Sequence, residues 1–411
     1  MAEQPLRRNV RFQTLWIGST IGFLGIEVAD IAYPLAVLAL TGSPAEAGLF
    51  GGLQTLATLL AGLPAGHVVD RFDRRRVLVL AETARMLAAA SVAVALAEHH
   101  LTLVHLLVVA AVLGASTPFG GTARMLLLRA VVPSDQLTAA LAQEQVRDGA
   151  SQLAGPPLGG FLYGVRQLLP FLFSAVAFAV SLVCALVVRV PPRPSVDQGT
   201  SRQSGILSGV HAIWRDPTLR AATVLAAALN TVFAPLALIA TVILKRQQVA
   251  PLLIGVALAG MAVGGLVGAA LVGPLHRRFR PGTLLIGFAT VLVPLMAALG
   301  IPWGPWWMAV VLLCMGLGMP AMQVLVDVLI LRQVPDEERG RAVAAVITLF
   351  GLGMPVGAAA AGLLLQFFSA PQAMFVLAGG LVLCAAFAGS RRELRAARWP
   401  GEPQWRHDGG E

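Results

Sequence analysis

The chain has 411 residues, of which 57% are apolar and only 12% charged, with a formal net charge of +9. A soluble domain carries about 25% charged residues, so this balance excludes an ordinary soluble protein. The basic excess does not require nucleic acid, because the basic residues are spread over alternate connections, as membrane topology demands.

The apolar residues come in blocks of about 20, the length needed to cross roughly 30 Å of hydrocarbon. Twelve such runs are read, approximately 12–40, 46–69, 77–97, 101–128, 139–164, 170–188, 219–244, 251–274, 282–299, 306–330, 342–367 and 371–389. The first is too long for the apolar core of a cleaved signal, so it is expected to stay in the membrane. Near its middle stand Glu27 and Asp30, three apart and therefore on one side of a helix. A charge at the bilayer centre costs about 2.5–3.5 kcal/mol even on the lenient insertion scale. At least one of the two is expected to hold a proton near neutral pH, and a carboxylate that loads and releases a proton is what proton-coupled export requires. The plainer reading is a polar pair hydrogen-bonded to a neighbouring helix.

Between spans 2 and 3 lies the most charged stretch, Gly66-His67-Val68-Val69-Asp70-Arg71-Phe72-Asp73-Arg74-Arg75-Arg76. Spans 3 to 5 carry a second charged group: Glu82, Arg85, Arg124, Glu144, Arg147 and Asp148. Three acids and three bases balance if they pair out of water. They read either as a gate network on one side of the membrane or as static glue between helices. Span 5 continues into Gly155-Pro156-Pro157-Leu158-Gly159-Gly160, where glycines permit close helix approach and prolines bend the span. Gln54, Gln152, Asn230 and Gln323 are candidate polar residues of a substrate cavity, and Tyr33, Phe119, Met319, Met322 and Met354 candidates for its adaptable wall. Each of these is otherwise ordinary helix packing. His99, His100 and His105 read as solvated or interfacial. Cys184, Cys314 and Cys384 lie far apart inside apolar runs, which implies neither a disulfide framework nor a metal site. No Walker loop occurs, so no nucleotide cofactor is expected.

Orientation follows from charge. Arg166, Lys245 and Arg246 lie in loops after odd-numbered spans, and Arg85, Arg124 and Arg147 lie within spans. The rest of the 30 basic residues lie on the other side with both termini, which are therefore expected in the cytoplasm. A repeat is visible at a constant offset of 202 positions: Gly62 meets Gly264, Arg75-Arg76 meet Arg277-Arg278, Pro118 meets Pro320, and Gly155 and Gly160 meet Gly357 and Gly362. The expected fold is an all-α membrane protein of twelve transmembrane helices in two parallel six-helix repeats. Its divisions are a first half, 1–189, a cytoplasmic linker, 190–216, a second half, 217–390, and a tail, 391–411. The linker is expected to include an amphipathic piece around Ile206 to Trp214, and the tail from Arg398 to be disordered.

Residues Gly66 to Arg75 match the loop pattern G-x-x-x-D-R-x-G-R-R of the major facilitator superfamily, except that Asp73 replaces the second glycine. The chain is thereby identified as resembling that superfamily. Four stretches resemble its twelve-span drug-efflux branch of macrolide-exporter and siderophore-exporter type: Leu40 to Pro44, Pro118 to Arg124, Gly155 to Gly160, and Pro335 to Arg341. The resemblance implies that Gly66, Asp70, Arg71, Arg74 and Arg75 serve the cytoplasmic gate, with Asp70 latching onto the N-terminus of span 11 near Gly340 to Ala342. An anion there gains about 0.3–1 kcal/mol. The arginines of the loop can also pair with anionic lipid headgroups or serve as plain positive-inside anchors. Asp tolerates a left-handed backbone better than most residues, which makes Asp73 acceptable. Gly155, Pro156, Gly159 and Gly160 resemble the exporter signature. One departure stands out: many drug antiporters carry an arginine four residues before the span-4 glycine, where this chain has Ala110 before Gly114.

The expected function is a proton-coupled exporter of amphipathic or lipophilic small molecules, monomeric and multi-pass in a bacterial inner membrane. Its partners are a small-molecule substrate and membrane lipids, without nucleic acid, and its energy source is the proton gradient rather than a cofactor. An uptake symporter or facilitator of a small metabolite is the alternative, and a non-transporting scaffold or sensor stands behind it.

Overall fold

The computed structural model describes residues 6–188, 214, 217–279, 281–321 and 336–390, the side chains at 217–219, 221, 222, 225, 226, 281, 282, 285, 286, 336–350, 384, 385 and 387–389 excepted. Among these residues the regular elements are all helical, as a chain in hydrocarbon requires if its backbone polar groups are to be satisfied internally. They are α1 (Val10–Thr41), α2 (Pro44–Arg71), α3 (Arg74–Ala97), α4 (Leu103–Val131), α5 (Leu137–Val165) and α6 (Leu169–Val187). Then come α7 (Pro217–Phe233), α8 (Leu236–Arg246), α9 (Pro251–Arg278), α10 (Pro281–Leu299), α11 (Pro305–Leu317), α12 (Asp336–Phe367) and α13 (Ala370–Ser390).

Local chemistry sets the ends. Thr41-Gly42-Ser43-Pro44 closes one helix and opens the next within four residues. Gly42 takes the left-handed conformation at φ 69°, Ser43 caps α2 by accepting from the Glu46 N–H, and Pro44 opens the first turn. Asn9, Asp73 and Thr102 cap α1, α3 and α4 in the same manner as Ser43.

Among the described residues seven spans are long and apolar enough to cross a membrane: α1, α2, α3, α4, α6, Ala227–Arg246 across α7 and α8, and α9. The described parts of α10 to α13 supply four shorter apolar helices. The twelfth span is α5, 29 residues long and carrying three charges within five residues. The surface agrees with a lipid environment. On α3, Leu80, Leu87 and Val94, spaced seven apart, are 69%, 59% and 58% exposed, while Glu82 and Arg85 are buried. An apolar stripe outside and charges inside suit hydrocarbon, not water.

In the first six helices α2 packs on α4, α1 on α5 and α6, and α3 on α4 and α6. Further on, α9 packs on α11, α7 on α12, and α10 on α13. The two sets meet through α2 with α12, α5 with α9, and α1 with α8. The end that carries the arginine-rich α2–α3 loop is called the basic end here, and the other the opposite end. Polar bridges between the sets occur at the opposite end. Gln366 Oε1 accepts from Ser43 Oγ at 3.1 Å and from the Ala45 N–H at 3.4 Å, and Lys245 Nζ donates to the Leu35 carbonyl at 3.2 Å.

The observed helices depart from the apolar runs in informative ways. The seventh span is broken at Ala234 and Pro235, since Pro235 has no N–H to return to the Thr231 carbonyl. The described part of α12 runs from Asp336, six residues before the apolar run. The tenth span was expected to reach 330, of which 322–330 lies outside the described residues, as do the tail and, Trp214 excepted, the amphipathic linker piece.

Candidate functional site

The centre of the site is the middle of α1. Pro34 withholds a backbone donor from the Asp30 carbonyl, which loosens the helix at that carboxylate. Asp30 is exposed to solvent, and Glu27 is half-buried. One turn further toward the opposite end, Tyr33, Ala36 and Val37 are only 1%, 3% and 0% exposed. These residues belong to the buried core on the opposite-end side of Asp30. Gln54 of α2, another of the expected residues, is half-buried.

The signature of α5 packs directly on this carboxylate pair. A Cβ placed at Gly155 would stand 2.3 Å from Glu27 Cβ, and one at Gly159 would stand 2.6 Å from the Val28 carbonyl oxygen. The other face of the same turns meets α9: a Cβ at Gly160 would lie 2.2 Å from the Pro251 carbonyl oxygen, and one at Gly255 would lie 2.0 Å from the Pro156 carbonyl oxygen. Glycine is thus demanded on both sides of α5. The signature is a thin wedge between Glu27 and the second set of helices. Gln152, one turn before Pro156, is exposed.

The remaining cavity candidates scatter. Tyr33 is not a cavity wall: its ring stacks on Phe50 at 5.0 Å and tilts against Phe171 at 5.0 Å, inside the core. Phe119 packs half-buried into the basic-end core around Phe12 and Leu127 instead of the centre. Asn230 of α7 is half-buried, and Met319 and Met354 are 38% and 37% exposed. Gln323 and Met322 lie outside the described residues.

The six charged residues of spans 3 to 5 form two clusters. In the first, Glu82 Oε1 takes Arg124 Nη2 at 2.5 Å and Arg85 Nη1 at 3.5 Å. Arg85 Nε also donates to Ser116 Oγ at 3.3 Å, and Arg124 Nη2 reaches Ser181 Oγ at 3.5 Å. This cluster fastens α3, α4 and α6. In the second, Arg147 holds Glu144 at 2.7 Å and Asp148 at 2.6 Å, with its guanidinium 5.9 Å from the centre of the Phe23 ring of α1. Among the described residues all four ion pairs stay within the first six helices. Arg124 sits two turns before the end of α4, deeper than expected from the end of the apolar run.

In the basic loop the structure reassigns several residues. Asp73 has φ −61°, so no left-handed backbone is needed; it caps α3 by accepting from the Arg76 N–H at 2.9 Å. Arg75 donates to the Ala185 carbonyl at 3.0 Å and to the Leu186 carbonyl, closing the C-terminus of α6, and Arg74 reaches the Leu126 carbonyl of α4 at 3.5 Å. These two arginines therefore brace the first six helices. Gly66, Asp70 and Arg71 are exposed at the end of α2. The side chains from Gly340 to Ala342, the expected counterpart of Asp70, lie outside the described residues.

Sequence reasoning missed Lys245, read as a loop residue but anchored on an α1 carbonyl, and Gln366, the clamp on the α1–α2 turn. That Lys245 is the sole lysine was a signal, though not of its partner.

The profile of the transmembrane secretion effector family matches residues 2–402. The multidrug efflux pump Tap of Mycobacterium tuberculosis is 26% identical over 361 residues, covering 82% of this chain and 83% of Tap. Macrolide efflux protein A of Streptococcus pyogenes is 22% identical over 387 residues, covering 92% and 95%. Among solved structures, a bacterial homologue of the human lysosomal transporter Spinster, inward-facing and unoccupied, superposes with a TM-score of 0.75 at 17% identity, covering 98% of this chain and 100% of the other. The nucleoside transporter NupG superposes at 0.73 with 13% identity, covering 92% and 98%. At these identities the structural likeness speaks for the fold alone.

Proposed function

The chain belongs to the transmembrane secretion effector family of major facilitator transporters, a multi-pass membrane transporter and not an enzyme, and on that premise we propose that it exports amphipathic or lipophilic small molecules in exchange for protons. The observation that carries this reading is the mid-membrane carboxylate pair, with Asp30 open to water and Glu27 pressed against the α5 signature. Protons enter through Glu27 and Asp30, and neutralising them removes the cost of moving two charges through the bilayer centre. The efflux pumps among the relatives support export and a drug-like substrate.

The rest of the expected architecture belongs to the same proposal: two parallel six-helix repeats, both termini and the basic end in the cytoplasm, and a monomer in a bacterial inner membrane in contact with lipid. The repeat is supported by like contacts in the two sets. Gly357, 202 positions after Gly155, approaches the Thr231 carbonyl of α7 as Gly155 approaches Glu27, and Gly362, the counterpart of Gly160, meets Gly48 across the sets. The bridges at the opposite end support a state closed on the outer side, in which Asp30 is reached from the cytoplasm. Asp70 acts as a latch on the start of α12 when the cytoplasmic side closes. Cross-linking of the α2 and α12 cytoplasmic ends should drop in Asp70→Asn, and unchanged cross-linking would remove the latch.

Export is tested in liposomes with an imposed pH gradient and a panel of lipophilic dyes and drugs. The proposal expects substrate to move against its concentration only when protons can run the other way. An uptake transporter, the alternative that Ala110 in place of the usual arginine keeps open, would carry a polar metabolite together with the proton.

A further inference from the structure

The Glu144–Arg147–Asp148 cluster lies beside Glu27, on its basic-end side. On α5, Asp148 precedes Gly155 by seven residues, two turns of the same helix face, and Gly155 is the residue pressed against Glu27. On α1, Phe23 precedes Glu27 by one turn, and Arg147 stands over the Phe23 ring at 5.9 Å. The charged groups beside Asp148 are Arg147 and Glu144 on its own helix, with Glu27 of α1 further along the same helix contact, while Arg124 of α4 is engaged by Glu82. On the α9 side the neighbouring Gly149 meets only apolar Leu266.

Arg147 is almost fully buried, its side chain 5% exposed, yet the acids it holds are partly exposed, Asp148 30% and Glu144 18%. Its Nε and Nη2 both donate to Oδ1 of Asp148, at 3.0 and 2.6 Å, and its Nη1 donates to Oε1 of Glu144 at 2.7 Å. The second oxygen of each carboxylate is left for other donors. A buried cation with two acidic partners can lose one and keep the other, which suits a site that changes charge in each cycle.

We propose that Asp148 is the station that receives the proton leaving Glu27 on its way to the cytoplasm, with Arg147 as the residue that resets it. The inference rests on the proton-coupled reading above. In the step, the O–H bond of protonated Glu27 breaks and the proton passes, through water, to a carboxylate oxygen of Asp148. Glu27 is left as the carboxylate, Asp148 as the neutral acid, and Arg147 keeps Glu144. Release of the proton to cytoplasmic water restores the Arg147–Asp148 pair, and no other reactant is consumed.

The test compares wild type, Asp148→Asn and Asp148→Glu in liposomes, reading pH-gradient-driven transport, gradient-free substrate exchange and melting temperature. Asp148→Asn is expected to lose gradient-driven transport by roughly tenfold or more while keeping exchange, with Asp148→Glu restoring the drive. Equal response of Asp148→Asn and wild type to the gradient would overturn the proposal. So would a parallel loss of drive, exchange and melting temperature in Asp148→Asn, which marks a structural pin. A wild type indifferent to the gradient would instead overturn the proton-coupled reading beneath it.

Discussion

Glu82 is fully buried, and its partner Arg124 is 15% exposed at a distance of 2.5 Å. Removing the arginine would leave a carboxylate in a low-dielectric site, with Arg85 as a distant second partner at 3.5 Å. Breaking such a pair costs about 3–5 kcal/mol, whereas replacing both members with neutral groups can be close to neutral. Arg124→Gln should therefore lower the melting temperature of the purified protein markedly, and Glu82→Gln/Arg124→Gln should recover much of the loss. Equal melting of Arg124→Gln and wild type would mean that the pair does not fasten α3 to α4. At this scale the sequence was readable where charge is costly. Glu27, Asp30, Glu82 and Arg85 announce themselves because a membrane span has no cheap use for them. Tyr33 and Phe119 did not, because lipid-facing and core-facing positions are both apolar and a ring gives no sign of which way it points.

Between helices, the decisive contact is the Gly155 wedge. A methyl group at Gly155 has no room beside Glu27 Cβ, and overpacking a tight helix contact costs about 1–3 kcal/mol. Gly155→Ala should push α5 from α1 and reduce transport together with its response to a pH gradient. Gly164→Ala on the same helix, where no neighbour lies within 4 Å, should leave transport unchanged. If both variants transport like wild type, the wedge carries no coupling. The spans themselves were legible from apolar length, but their interruptions were not. Pro34, Pro118, Pro156 and Pro355 all sit inside continuous helices, while Pro235 breaks one. Neighbouring helices decide whether the freed carbonyl is tolerated, and that information is not local. Likewise the GPPLGG motif was readable as a close-packing signal, whereas its two partners, Glu27 on one face and α9 on the other, emerge only from the three-dimensional arrangement.

For the whole molecule, the bridges at Gln366 and Lys245, the exposed Asp30 and the buried Tyr33 describe one arrangement, which the proposed function reads as one of the two states of an alternating cycle. The energy for the cycle, in this account, enters as a proton on the α1 carboxylates. Liposomes holding wild-type protein or Glu27→Gln/Asp30→Asn and a trapped pH dye, given substrate without an imposed gradient, measure that link directly. The account predicts that substrate movement drives a proton flux in the opposite direction in wild type and none in the double variant. A proton flux of equal size in both, or substrate transport by wild type with no proton flux, would contradict it.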